Sequence, residues 1–149
     1  GRRGGPRGGC TWAATMKPVD QTIFGRPYGN CLPACIASIL ELSLGDVPHF
    51  GADGWLEELD RWLEPRELYA VCFGLAGAGS WRPRGLHVLA GGSPRGDYLH
   101  AVVARGSEIV HDPHPSRVGL MDHVDVTLIV PLDVTRFVEQ AVGGKKRLV

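Results

Sequence analysis

Tyr28-Gly29-Asn30-Cys31-Leu32-Pro33-Ala34-Cys35-Ile36-Ala37-Ser38-Ile39-Leu40 carries the chain from a polar turn into an apolar run. Leu32, Ile36, Ile39 and Leu40 recur at spacings of three and four, which predicts a helix over residues 31–42. Pro33 falls in its first turn, where a missing N–H costs little. Asn30 takes the N-cap position, and Gly45 and Pro48 close the segment. Cys31 therefore opens the helix. A thiol so placed meets unpaired backbone N–H groups and the positive end of the helix dipole, which favour a thiolate. That is the setting of a nucleophile, and it directs attention to a histidine and a carboxylate elsewhere in the chain.

Downstream, residues 53–64 read as a second amphipathic helix, with Trp55, Leu56, Leu59, Trp62 and Leu63 as its buried stripe and Pro65 as its stop. Beyond residue 66 the pattern changes to short β-type runs: Leu68–Phe73, Leu86–Ala90, Tyr98–Ala104, Glu108–Val110 and Val124–Val130. Turns rich in Gly, Ser and Pro over residues 74–79, 91–96 and 105–107 separate them, a spacing that predicts an antiparallel meander. A short helix is expected over Val134–Val142, with residues 143–149 fraying. Helices first and an antiparallel sheet second make an α+β architecture.

At 149 residues the chain suits one domain with its own core. Residues 1–9 hold three arginines, five glycines and no side chain that packs, so residues 1–15 are expected to be a flexible basic tail, with Met16 as a natural start and 16–142 as the domain. Lys+Arg and Asp+Glu stand at 16 each, which gives no electrostatic case for nucleic acid or an anionic membrane. No run approaches the roughly 20 apolar residues of a membrane span. Cys10, Cys31, Cys35 and Cys72 do not form the framework of a secreted miniprotein, and the cytoplasm is the expected compartment.

Among six histidines, His100 opens the run His100-Ala101-Val102-Val103-Ala104, at a strand start where a cleft can form. The next strand runs into Val110-His111-Asp112-Pro113. A hairpin centred on Gly106 places His100 opposite Asp112, and opposed Cβ atoms lie about 5 Å apart. Cys31 as nucleophile, His100 as base and Asp112 as the group that orients the imidazole follow from that placement. A developing oxyanion needs donors. The Cys31 N–H is one, and Gln21, ten residues upstream, is the candidate for the other.

The order Gln21, Gly29-Asn30-Cys31, His100-Ala101-Val102-Val103, Val110-His111-Asp112-Pro113 resembles the papain-like cysteine peptidase superfamily. Within it, the chain is most similar to the bacterial branch that trims double-glycine leaders from bacteriocins, and to related small phage and bacterial proteins. The resemblance spans roughly residues 16–132. It implies a papain-like fold, a Cys31–His100–Asp112 triad with Gln21 in the oxyanion hole, and cleavage of a peptide or amide bond in a peptide or protein substrate. The family's glutamine usually stands closer to its cysteine, and these 149 residues hold no ATPase or membrane module, so leader processing is not part of the expectation.

Other readings stand beside this one. A peptide-binding module without turnover would keep the same fold, and an amidase or acyltransferase would use the same triad. Cys31, Cys35, His111 and His114 have spacings a zinc site permits, although prolines in the loop hinder their convergence, and the expectation is no metal. Cys35 reads as a packed thiol, His111 and His114 as cleft-lining or loop-capping, and His49 and His87 as structural. Arg95 and Arg117 are solvated arginines or carboxylate binders. The glycine runs lack the Lys-Ser/Thr and strand–turn–helix context of a phosphate loop, and no cofactor is expected.

Overall fold

A computed structural model describes residues 16–26 and 29–134. The basic tail with Cys10, the expected terminal helix beyond Val134 and residues 143–149 lie outside the described residues. The helix that Cys31 opens is α1, Cys31–Leu40. Ala34, Cys35, Ile36 and Ala37 are fully buried, so α1 is a central helix, covered on nearly every side. It stops at Leu40, earlier than Gly45 and Pro48 suggested, because Glu41 turns to φ +55° and its N–H bonds back to the Ala37 carbonyl. A 3₁₀ turn, Leu44–Asp46, follows. The second helix, α2, is Trp55–Leu63, with Leu59 and Leu63 fully buried as its stripe predicts.

The strands are β1 (Leu68–Gly74), β2 (Leu86–Gly92), β3 (Leu99–Arg105), β4 (Glu108–His111) and β5 (Asp125–Pro131). They form an antiparallel sheet in the order β1-β5-β2-β3-β4. The fold is thus α+β: two helices on a five-stranded antiparallel sheet. The simple meander is corrected. Only β2-β3-β4 follow one another in space, and β5 inserts between β1 and β2. Gly91 and Gly92, expected in a turn, are instead the end of β2. Their bareness explains the insertion. A Cβ on Gly91 would lie 1.8 Å from the Asp122 carbonyl oxygen, so only glycine lets the 121–124 segment lie against β2. Three hydrogen bonds hold it there: Met121 N–H to Gly92 O (2.8 Å), Val124 N–H to Ala90 O (2.8 Å) and Gly92 N–H to Asp122 Oδ1 (2.7 Å).

Both faces of the sheet are covered, so β3 is buried through its whole middle rather than alternating. On one face Val88, Ala101 and Val103 pack against α1 and α2 residues Cys35, Ile36, Leu59 and Leu63. On the other, Leu89, Val102, Ala104 and Val126 are closed over by Leu75 and Leu120 from loops.

Among the described residues, no helix is long and apolar enough to cross a membrane.

Candidate active site

The β3–β4 hairpin brings its two polar residues to one end of the sheet. Arg105 pairs with Glu108 and Ala104 with Ile109, so the turn centres between Gly106 and Ser107, half a residue beyond the expected centre. A bulge at Val110 then sets His111 opposite Val103. Asp112 is therefore not a ladder partner of His100 but the first residue past β4. Its carboxylate still reaches the imidazole: His100 Nε2 and Asp112 Oδ1 are 2.7 Å apart, with both residues buried.

The Cys31 side chain stands on the same cavity wall as His100, near enough to raise the imidazole's pKa. Cysteine, histidine and aspartate thus gather at one cleft, on α1, on β3 and on the loop after β4. Burial favours a neutral His100, but the Asp112 and Cys31 side chains outweigh it and raise its pKa above the ordinary value. Asp112 also accepts the backbone N–H groups of His114 (2.9 Å) and Gly119 (2.8 Å). Burial alone would raise this carboxyl; His100 and those two N–H groups win and hold it at about 2. It stays ionised and oriented over the whole neutral range.

Asn30 occupies the N-cap position of α1 but does not cap it with its side chain. The side chain turns back to the preceding loop, where its Oδ1 accepts the N–H groups of Thr22 and Ile23 (2.9 Å each) and its Nδ2 donates to Thr22 Oγ1 (3.0 Å). Two results follow. The N–H groups of Cys31 and Leu32 keep no intrahelical acceptor, as at any helix start. The loop that carries Gln21 is also tied directly to the residue before Cys31.

Gln21 is buried and lines the same cavity as Cys31 and His100. Its Nε2 donates to Ile23 O (2.9 Å), which uses one of the two amide protons, and its buried Oε1 has no hydrogen-bond partner. Its backbone N–H bonds Pro113 O at 3.0 Å. The whole 16–21 segment is strapped between α1 and the Asp112 loop. Val19 N–H donates to Ser38 Oγ (2.9 Å), His111 Nε2 donates to Val19 O (2.9 Å), and Arg117 clasps both carboxylate oxygens of Asp20 (2.6 and 2.8 Å). Arg117 Nη1 also donates to the Asp112 carbonyl.

These contacts place the remaining sequence candidates. Cys35 is fully buried, and burial, with lesser contributions from Cys31 and Asp112, pushes its thiol well above the ordinary range. His111 serves the strap, whereas His114 lines the cleft, its ring edge-on to those of His100 (6.3 Å) and Phe24 (5.1 Å). Cys31, Cys35, His111 and His114 therefore do not converge. His87 is buried and donates from Nδ1 to Gly85 O (2.9 Å). Arg95 lines the cleft and bonds Ser116 Oγ (3.1 Å), while Arg117 belongs to the strap. Sequence reasoning missed the loop-holding role of Asn30, the Asp20–Arg117 clasp and the placement of His49 in the cleft wall, where Nε2 donates to Gly29 O at 3.3 Å.

Two cavities meet at Cys31 and His100. One, of about 430 Å³, is lined by Gln21, Arg26, Arg95, Tyr98 and His114. The other, of about 250 Å³, has mostly apolar walls and Asp125. Comparison with protein-family models, with curated proteins and with solved structures gives no match to this chain. The chemistry is therefore read from the site alone.

Proposed function

We propose that this chain is a thiol hydrolase of papain-like architecture that cleaves a peptide or amide bond through Cys31, His100 and Asp112. The observation that carries the proposal is the placement of Cys31 beside a His100 imidazole that is bonded at 2.7 Å to the Asp112 carboxylate, at the junction of two cavities. In the reaction, His100 takes the Cys31 proton on the nitrogen facing the sulfur, and Sγ attacks the carbonyl carbon. The carbonyl π pair moves to oxygen. The Cys31 N–H and the second Gln21 amide proton stabilise the resulting oxyanion. The C–N bond then breaks as His100 returns its proton to the leaving amine, which leaves a thioester on Cys31. Water, losing a proton to His100, attacks the thioester, and the acid departs as the thiol re-forms. Asp112 keeps the imidazole in one tautomer throughout and stabilises its cationic form. An amine or ammonia-releasing substrate uses the same first half-reaction, so amidase and acyl-transfer chemistry belong to the same proposal.

An electrophilic thiol probe, followed by mass mapping of the intact chain, tests the nucleophile. Cys31 is expected to be labelled far faster than Cys35 or Cys72, with the advantage lost in His100→Ala. Labelling of Cys72 or Cys35 that leaves Cys31 unmodified overturns the assignment.

A further inference from the structure

The apolar cavity beside Cys31 contains one charge that the mechanism does not use. Leu32, Phe50, Trp55, Val88 and Ala101 contribute to its walls, together with Asp125. The register explains how a carboxylate comes to be there. Ala90 pairs with Asp125 and Val88 with Thr127, and cross-strand partners project on the same side of a sheet. Val88 packs on the helix-covered face, whereas Val126 packs on the opposite face, so Asp125 faces the helices. It is half-buried, and it makes no side-chain hydrogen bond or ion pair with any described residue. Burial without a partner pushes its carboxyl up from the ordinary value. An unpaired carboxylate in an apolar enclosure is costly unless a cation arrives to meet it. The neighbouring cavity has the opposite character, with Arg26, Arg95 and His114 in its walls. The cleft is thus electrostatically lopsided about the reacting sulfur.

We infer that the apolar cavity receives a long basic side chain, lysine or arginine, of a peptide substrate, with its methylenes against Leu32, Phe50 and Trp55 and its charged end at Asp125. This rests on the proposed peptide hydrolysis at Cys31 and names the substrate class for it. Lysine and arginine suit the cavity because an apolar stem and a charged tip are joined in one side chain. Norleucine has the stem without the tip, so the contrast between lysine and norleucine isolates the carboxylate.

The test uses the full chain and matched peptidyl acyloxymethyl ketones that carry lysine or norleucine at successive positions before the ketone, read as the rate of Cys31 labelling by intact mass. Lysine is expected to exceed norleucine by roughly tenfold or more at one position, the advantage of a charge-assisted hydrogen bond. The ratio is expected to fall to near one in Asp125→Asn, and glutamate to overtake norleucine in Asp125→Lys. A ratio near one at every position, or one that survives Asp125→Asn, overturns the inference. If no probe labels Cys31, the hydrolase reading fails, and binding of the matched lysine and norleucine peptide amides to Cys31→Ala by calorimetry decides the cavity separately. A lysine preference that disappears when Asp125→Asn is added sustains the cavity's role, and equal binding of the two peptides refutes it.

Discussion

Cys31 reaches the cleft on a helix whose next turns are almost wholly buried, whereas His100 and Asp112 reach it on a strand start and a loop tied by directional hydrogen bonds. The first wall is positioned by volume and the second by charge. Apolar packing fixes α1 as a body, is insensitive to pH, and fails by leaving cavities. The polar wall fixes individual atoms, and it fails when one partner changes its protonation state or is removed. Damage to the two walls should therefore be separable, one falling mainly on stability and the other mainly on turnover.

The sharpest contrast comes from His100→Ala, which is expected to lower peptide turnover by roughly 10⁴-fold, or about 5 kcal/mol of transition-state stabilisation, measured as kcat/KM. On the packed wall, Ile36→Ala removes a fully buried side chain from α1. It is expected to cost about 2–5 kcal/mol in urea unfolding while the folded fraction keeps its Cys31 labelling rate. Loss of both stability and labelling to the same degree would break the distinction.

Acid isolates the charged wall without mutation. The Asp112 carboxyl is held at about 2 in the folded chain against 3.8 ordinarily. Its contribution, about 2 kcal/mol, is therefore present above pH 4 and lost as pH falls towards 2. Asp112→Asn should flatten that part of the stability–pH curve. The sign reverses for His100, whose pKa is raised. Its contribution is complete below the unfolded histidine pKa and is lost as pH rises through the folded one. The smallest effect is expected from Arg117→Ala. The clasp on Asp20 is half-exposed, so its loss should cost no more than about 1 kcal/mol, and less in high salt.

What the sequence discloses divides along similar lines. The start of α1, the buried stripe of α2 and the β3–β4 hairpin are local patterns, and each is legible from periodicity or a turn. Cys31, His100 and Asp112 stand out in the sequence because helix starts and hairpin ends have predictable neighbours. The insertion of β5 was not legible, since nothing in residues 125–131 specifies which strands will flank them; the cause lies in Gly91 and its contact with Asp122. Asn30 misled for a related reason. Its position matched an N-cap, but its side chain has better partners in Thr22 and Ile23, brought near only by the folded loop. The His100–Asp112 contact forms although the register differs from the expected one: the Val110 bulge carries Asp112 further from the position opposite His100, and its carboxylate reaches the imidazole from the loop past β4.

The central place of β5 sets an order of events during synthesis. Among the described residues β1 has no strand neighbour other than β5, and β5 is what ties β1 into the sheet that carries His100. A nascent chain that ends before Asp125 already has the elements that set α1 on β2 and β3, but it lacks the carboxylate wall at Asp125 and the strand that ties β1 into the sheet. The five-stranded order is therefore completed only once residues 125–131 have been made, and with it the carboxylate wall of the cleft.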